Sequence, residues 1–350
     1  MFLLPFYCNI IIVKRQIKTG CSIVVVRAHG VHVVPVRFRA ARHMNNKPSE
    51  IRKSPIFNKY VIITPGRALR PHDLKEYTQN QPNPDCPFCV QNVNKKNIVD
   101  KIKTKNDTIT SIKNAFPAVS LDNQKAYGVQ EVIIESENHQ VELADLPLKQ
   151  IESLLDMYAQ RTRVIAKNKK IDYILCFKNQ GSKAGASLSH AHSQVFATKI
   201  VPEDLREEMI LAQRHKIKHN TCAYCDIVKM EMKSSRKIYA DKYVVAFAPY
   251  ASQFHFEAWI VTKRHTDSII DLTQNEKKSV AKILKHLALK MKELNLSFNY
   301  FLHNVISDKQ QHFYIKIQPR DGVWAGVELG SGLVINSVSP EAAAKYYRTK

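Results

Sequence analysis

Cys86-Pro-Phe-Cys89, Glu131-Val-Ile-Ile-Glu-Ser-Glu-Asn-His139 and His190 return later in the chain as Cys222-Ala-Tyr-Cys225, Glu257-Ala-Trp-Ile-Val-Thr-Lys-Arg-His265 and His312. Glu to His is eight residues in both sets, Cys to His is 53 and 43, and His to His is 51 and 47. Such a spacing repeat is a duplication signal that precedes any single motif. Each middle His is followed by apolar residues at helical spacing: Leu148, Ile151, Leu154, Leu155 and Tyr158, then Val280, Ile283, Leu284 and Leu287. After each helix comes a strand pattern, Ile171–Phe177 and Phe298–His303. The sequence therefore predicts an α+β fold made of two copies of one unit, each an antiparallel sheet with a helix packed on it.

Each copy assembles two cysteines and two histidines. Thiolate and imidazole are the ligands that tetrahedral Zn²⁺ favours, and a Cys-x2-Cys turn lets two sulfurs reach one ion. Cys86, Cys89, His139 and His190 form one expected set, and Cys222, Cys225, His265 and His312 the other. Two zinc ions per chain follow. Four protein ligands leave no open position, so both are expected to be structural.

The copies differ at one place. The first carries Gly185-Ala-Ser187-Leu-Ser189-His190-Ala-His192-Ser-Gln194, the second His312-Phe-Tyr314-Ile-Lys316-Ile-Gln318. Strand alternation would put residues 190, 192 and 194 on one face. A solitary strand histidine is as often structural as functional; beside His190, Gln194 and a Gly/Ser run, His192 reads as functional. An imidazole is largely unprotonated near neutral pH and forms a phosphoramidate that hands its group on. Gly181, Gly185, Ser187 and Ser189 supply backbone and hydroxyl donors around a phosphate, and Gln194 an amide. Tyr314 at the matching place suggests that the second copy has no such chemistry.

The formal charge is +22, and seven basic residues with no acidic one lie in residues 1–43. The rest is dispersed lysine, which marks a solvated face or a field suited to a phosphorylated substrate. Base-reading motifs and interleaved aromatics are missing, which argues against nucleic acid as partner. The apolar start is too short to span a bilayer. Residues 1–43 are read as a leader, disordered or outside the functional protein, with an organellar transit peptide as the other reading. The domains are then 44–200, carrying the chemistry, and 201–350. Four of seven cysteines in two Cys-x2-Cys pairs point to a reducing compartment, hence a cytoplasmic protein.

At this point the His190-Ala-His192-Ser-Gln194 segment, the duplicated unit and the Cys pairs resemble the galactose-1-phosphate uridylyltransferase family of the histidine-triad superfamily, from about Glu50 to Tyr347. The second Cys2His2 set and short tail are similar to the subgroup that includes plant ADP-glucose phosphorylase. The resemblance implies that His192 attacks the α-phosphorus of a nucleoside-diphosphate sugar, releasing sugar 1-phosphate. A hexose 1-phosphate or inorganic phosphate then takes the nucleotide. It further implies nucleotide or phosphate contacts from Arg67, Arg70, Asn114, Asn179, Gly185, Ser187 and Gln194, and a late substrate contact from Glu328. Members are often dimers, so a homodimer is expected.

Two departures from the family pattern stand out. Ala191 replaces the usual Pro between the histidines, and Gly322-Val-Trp324 lacks the Lys-Phe pair of hexose uridylyltransferases. Gln194, in place of the third His of the superfamily's hydrolases, favours transfer over hydrolysis. UDP-glucose:hexose-1-phosphate uridylyl transfer is the leading expectation, and ADP-glucose phosphorolysis the alternative. A zinc-stapled polyanion-binding module without catalysis is the reading from another class.

Overall fold

The computed structural model describes residues 50–56, 59–63 and 84–349 in full, and residues 11–17, 20–27 and 30–31 as strand backbone. Contacts divide the chain between His43 and Met44. In the first unit, β1 (Ile11–Ile17), β2 (Gly20–Arg27) and β3 (Gly30–Val31) form an antiparallel ladder in that order.

The second unit is built on one antiparallel sheet of ten strands. The first copy gives β6 (Ile98–Lys103), β7 (Thr108–Lys113), β8 (Gly128–Ile134), β9 (Tyr173–Gln180) and β10 (His192–Thr198). The second gives β11 (Lys237–Ala240), β12 (Val244–Phe247), β13 (Ala258–Thr262), β14 (Phe298–Val305) and β15 (Tyr314–Pro319). The order across the sheet is β11-β12-β13-β15-β14-β9-β10-β8-β7-β6. Read outward from the centre, both copies run in the same sequence of equivalent strands. The two expected small sheets are therefore fused edge to edge, through β9 and β14. An edge strand left alone exposes a row of unpaired backbone groups, and each copy caps the other's edge. At the seam Phe177 pairs with Phe301, its own counterpart, so a local twofold axis passes between them.

Helix α1 (Leu148–Ile165) and helix α4 (Gln274–Glu293) fall where the apolar spacing put them, and they pack together on one face of the sheet. Ile151, Leu154, Leu155 and Tyr158 from one, with Val280, Ile283, Leu284 and Leu287 from the other, bury against Ile174, Val195, Ile260 and Ile315. The Tyr158 and Tyr300 hydroxyls meet at 2.5 Å, joining α1 to a strand of the other copy. α4 starts at a reciprocal cap: the Thr273 side chain accepts from Glu276 N, and Glu276 accepts from Thr273 N. The opposite face of the sheet carries α2 (Glu203–His219) and α3 (Ala223–Glu231) over the second copy. β4 (Glu50–Lys53) pairs antiparallel with β5 (Tyr60–Ile63), and β5 pairs in parallel with β16 (Val334–Asn336), which in sequence falls between the short helices α5 (Gly326–Ser331) and α6 (Pro340–Tyr347).

Candidate functional site

Both Cys2His2 groups form. The ligand atoms of Cys86, Cys89, His139 and His190 all lie within 4.8 Å of one another, as do those of Cys222, Cys225, His265 and His312. Sulfur to Nδ1 distances are 3.4 to 3.7 Å in the first group and 3.6 to 3.9 Å in the second. Around a tetrahedral ion with metal–sulfur bonds of about 2.3 Å and metal–nitrogen bonds of about 2.0 Å, that separation would be roughly 3.5 Å. The innermost histidines are oriented for ligation. His190 Nε2 donates to the Ser136 carbonyl at 2.8 Å and His312 Nε2 to the Thr262 carbonyl at 2.9 Å, which turns each Nδ1 lone pair toward the sulfurs. Burial and the neighbouring Cys222 sulfur push the Cys225 thiol up to about 11. Facing thiols of that kind suit a divalent cation, and either group could hold one.

His192 opens β10, two residues after His190 of the first Cys2His2 group. Alternation along β10 sends Val195 and Ala197 into the helical core and His192 and Gln194 to the other face. His192 Nδ1 lies 2.8 Å from the His190 carbonyl. A carbonyl only accepts, so Nδ1 carries the proton and Nε2 keeps its lone pair. The ring is 6 % exposed, with Phe88 of the first Cys-x2-Cys turn against it at 5.0 Å between centroids. Burial, then the positive charge of Lys178, holds the imidazole below its ordinary range, so it stays neutral.

Beneath the strand, Lys178 and Glu135 form a buried ion pair at 2.8 Å. The Lys178 ammonium also donates to the His192 carbonyl at 3.0 Å, fixing the backbone that carries the ring. On the site face, Gln194 Oε1 accepts from Gln130 Nε2 at 3.3 Å, and Gln130 Oε1 accepts from Ala118 N at 2.8 Å. Gln130 thus ties the loop after β7 to β10. Asn114 begins that loop, its side chain accepting from Phe116 N at 2.8 Å.

Register places Gln194 opposite Phe177, and hence His192 opposite Asn179 two residues on. Asn299 donates to Asn179 Oδ1 and to the Ala184 carbonyl, both at 2.8 Å, so the second copy braces the turn that follows β9. That turn needs glycine twice. Gly181 has φ +83°, and a Cβ there would meet Ser297 Oγ at 2.4 Å; Gly185 has φ +82°. Ser187 and Ser189 are exposed on the way into His190, with Ser189 Oγ 3.3 Å from His139 Nε2.

The structure thus gathers His192, Gln194, Asn179, Gly185 and the first metal group at one end of β9 and β10. Glu328 lies elsewhere: it is on α5 and lines a cleft over the second copy, with Trp324, Gln318 and Lys316. Its sequence position gave no information on which copy it would face. Arg67 and Arg70 lie outside the described residues. Phe88, Gln130, Lys178 and Glu135 were not singled out by sequence, because their roles arise from cross-strand neighbours rather than from spacing along the chain.

With this geometry in hand, known proteins give it a context. A sequence model of the galactose-1-phosphate uridyl transferase N-terminal domain matches residues 39–202, and a domain model of unknown function matches residues 133–346. ADP-glucose phosphorylase of Arabidopsis thaliana is 32% identical over 334 residues, covering 87% of this chain and 94% of that protein. Galactose-1-phosphate uridylyltransferase of Thermotoga maritima is 29% identical over 319 residues, covering 85% and 98%. Among solved structures, the Arabidopsis ADP-glucose phosphorylase with bound ADP-glucose superposes with a TM-score of 0.77 at 29% identity, covering 87% of this chain and 99% of that one. A uridylyltransferase superposes at 0.66 and 27% identity, covering 85% and 97%. Fold, histidine strand and extent of likeness agree: the chain belongs to the galactose-1-phosphate uridylyltransferase family of nucleotidyltransferases, with ADP-glucose phosphorylase among its relatives.

Proposed function

We propose that the chain moves the nucleotidyl group of a nucleoside-diphosphate sugar through a covalent bond to His192. The observation that carries this is the His192 imidazole: its Nδ1–H is committed to the His190 carbonyl, leaving a neutral Nε2 as nucleophile. Nε2 attacks the α-phosphorus, and the bond to the bridging oxygen breaks. Sugar 1-phosphate leaves with the electron pair, giving nucleotidyl-His192. A phosphate oxygen of the acceptor then attacks the same phosphorus from the vacated side, and His192 leaves as neutral imidazole. The charge that spreads over the phosphoryl oxygens is met by Gln194, Ser187 and the backbone around Gly185. Asn179 and Asn114 are assigned to substrate positioning, as are Arg67 and Arg70.

Zinc is the ion that both Cys2His2 sets suit. Bound there, it would lock the ends of the strands and supply no reacting group. In the first set it would also fix His190, whose carbonyl sets the His192 tautomer.

Two substrate pairs fit this chemistry. The family's uridylyltransferases and the Thermotoga likeness support UDP-glucose with a hexose 1-phosphate as acceptor. The Arabidopsis likeness, and a tail lacking the Lys-Phe pair, support ADP-glucose with inorganic phosphate. Intact-mass measurement after incubation with each nucleotide sugar separates them, since the adduct is UMP-protein or AMP-protein. His192→Ala should lose the adduct and keep about two metal ions per chain. A wild-type chain that gains no mass from either sugar, or an Ala variant that still labels, overturns the proposal.

A further inference from the structure

The second copy repeats the candidate site position by position. Strand register makes Tyr314 the counterpart of His192, Lys316 of Gln194, Phe301 of Phe177 and His303 of Asn179. Within the Cys-x2-Cys turns, Tyr224 stands where Phe88 stands. Tyr224 stacks on Tyr314 at 5.4 Å between centroids, as Phe88 packs on His192 at 5.0 Å. The frame of the site is kept and its chemistry is changed.

A carboxylate fills that frame. Glu208, reaching down from α2, accepts from the Tyr224 hydroxyl, from the Tyr314 hydroxyl at 2.8 Å and from the Lys316 ammonium at 3.4 Å. Those donors are the side chains at the Phe88, His192 and Gln194 positions. A carboxylate is also the side chain whose charge and acceptor oxygens come nearest to a phosphate's. Cavities of about 430 and 450 Å³ adjoin Glu208, and Leu205, Glu208 and His303 line both. Trp259, with Lys316 4.7 Å from its ring centroid, stacks on Tyr314 and gives the first cavity a flat aromatic wall.

α2 buries little of itself over this place, although His215–Asp226 and Lys216–Gln310 contacts tie its far end. Of its 17 residues only Leu205 and Glu208 are buried, and no side chain caps its start. Only residues 199–202 separate it from β10, which begins at His192.

We infer that the second copy holds a further anion site, over Tyr224, Tyr314 and Lys316, for the phosphates of a nucleoside diphosphate. Glu208 occupies it in the closed chain and leaves it when α2 lifts. The preference for an anion rests on the three donors. The choice of a nucleotide rests on the nucleotidyl reading of the first copy and on the aromatic wall. Because the closed form must open first, apparent affinity is reduced by the fraction of chains with α2 raised. The short link to β10 makes α2 a lever on the strand that carries His192.

Hydrogen exchange on the full chain, with and without millimolar ADP, tests this in the wild type and in Lys316→Met. The expected result is faster exchange across α2 and slower exchange across Tyr314–Pro319 when ADP is present, both lost in Lys316→Met. Protection of β10 by ADP with α2 unmoved overturns the second site and leaves the nucleotidyl reading standing. A response of α2 without protection of β10 keeps the second site and counts against the nucleotidyl reading. Glu208→Gln, checked for a native far-ultraviolet spectrum, should bind ADP at a second site at least about ten-fold more tightly than wild type in equilibrium dialysis, with inorganic pyrophosphate competing. One site per folded Glu208→Gln chain, or a second site indifferent to pyrophosphate, overturns the inference.

Discussion

At the scale of single residues, the site depends on groups that make His192 neutral and hold it still. Burial and Lys178 both lower its affinity for a proton. The ring therefore stays deprotonated to lower pH than a free imidazole, whose ordinary value is about 6.5. The acidic limb of adduct formation in a single-turnover pH series should accordingly have its midpoint below that pH. An acidic limb at or above it would contradict the assignment. Lys178 and Glu135 form a pair with almost no water contact, so removing one partner strands a charge. Lys178→Met should cost about 3–5 kcal/mol in urea unfolding, and Lys178→Met/Glu135→Leu should recover most of that. A double variant no more stable than the single one would show that the pair is not the cause. The two Cys2His2 groups were legible in the sequence because spacing alone defines them, and His192 stood out as the place where the copies differ. Lys178, Glu135, Gln130 and Phe88 were not, because each gains its role only once strands far apart in sequence lie side by side.

At the scale of elements, α1 and α4 were legible from apolar residues three and four apart, and β9 and β14 from the runs that follow. Their burial follows the same pattern. The α4 start was not read from the sequence, although Thr273 and Glu276 form the reciprocal cap. Thr273→Ala should destabilise the chain by about 1 kcal/mol in thermal or urea unfolding. A neutral result would mean that the Arg264–Glu276 ion pair alone defines that end. α2 was illegible for a physical reason. It buries two side chains, one of them a glutamate, so no apolar stripe marks it. Glu328, expected as a late substrate contact, lies on α5 and lines a cleft over the second copy.

At the scale of the molecule, the duplication was legible and its geometry was not. Equal spacings reveal two units, but nothing in one unit's sequence states that its edge strand will pair with the edge of the other. That pairing joins the ten strands into one sheet, and each Cys2His2 group could hold a metal ion that ties its strands and turns together. Cys222→Ser should lower the unfolding midpoint of the whole chain, with the surviving folded fraction still forming the His192 adduct. A soluble, metal-replete variant whose turnover alone has gone would place the second metal group in the chemistry instead. Chelation should act in the same direction, and as one transition rather than two.

The small three-stranded sheet has a consequence for how the chain is made. β5 is completed by a parallel partner, β16, that is translated long after it. Before β16 is made, Val61 and Ile63 lack part of their cover, since Val334 belongs to the cluster that buries them. Until β16 has emerged, an early segment therefore stays open to chaperones and proteases. A nascent chain stalled before Val334 should be cut there, whereas a released one should resist.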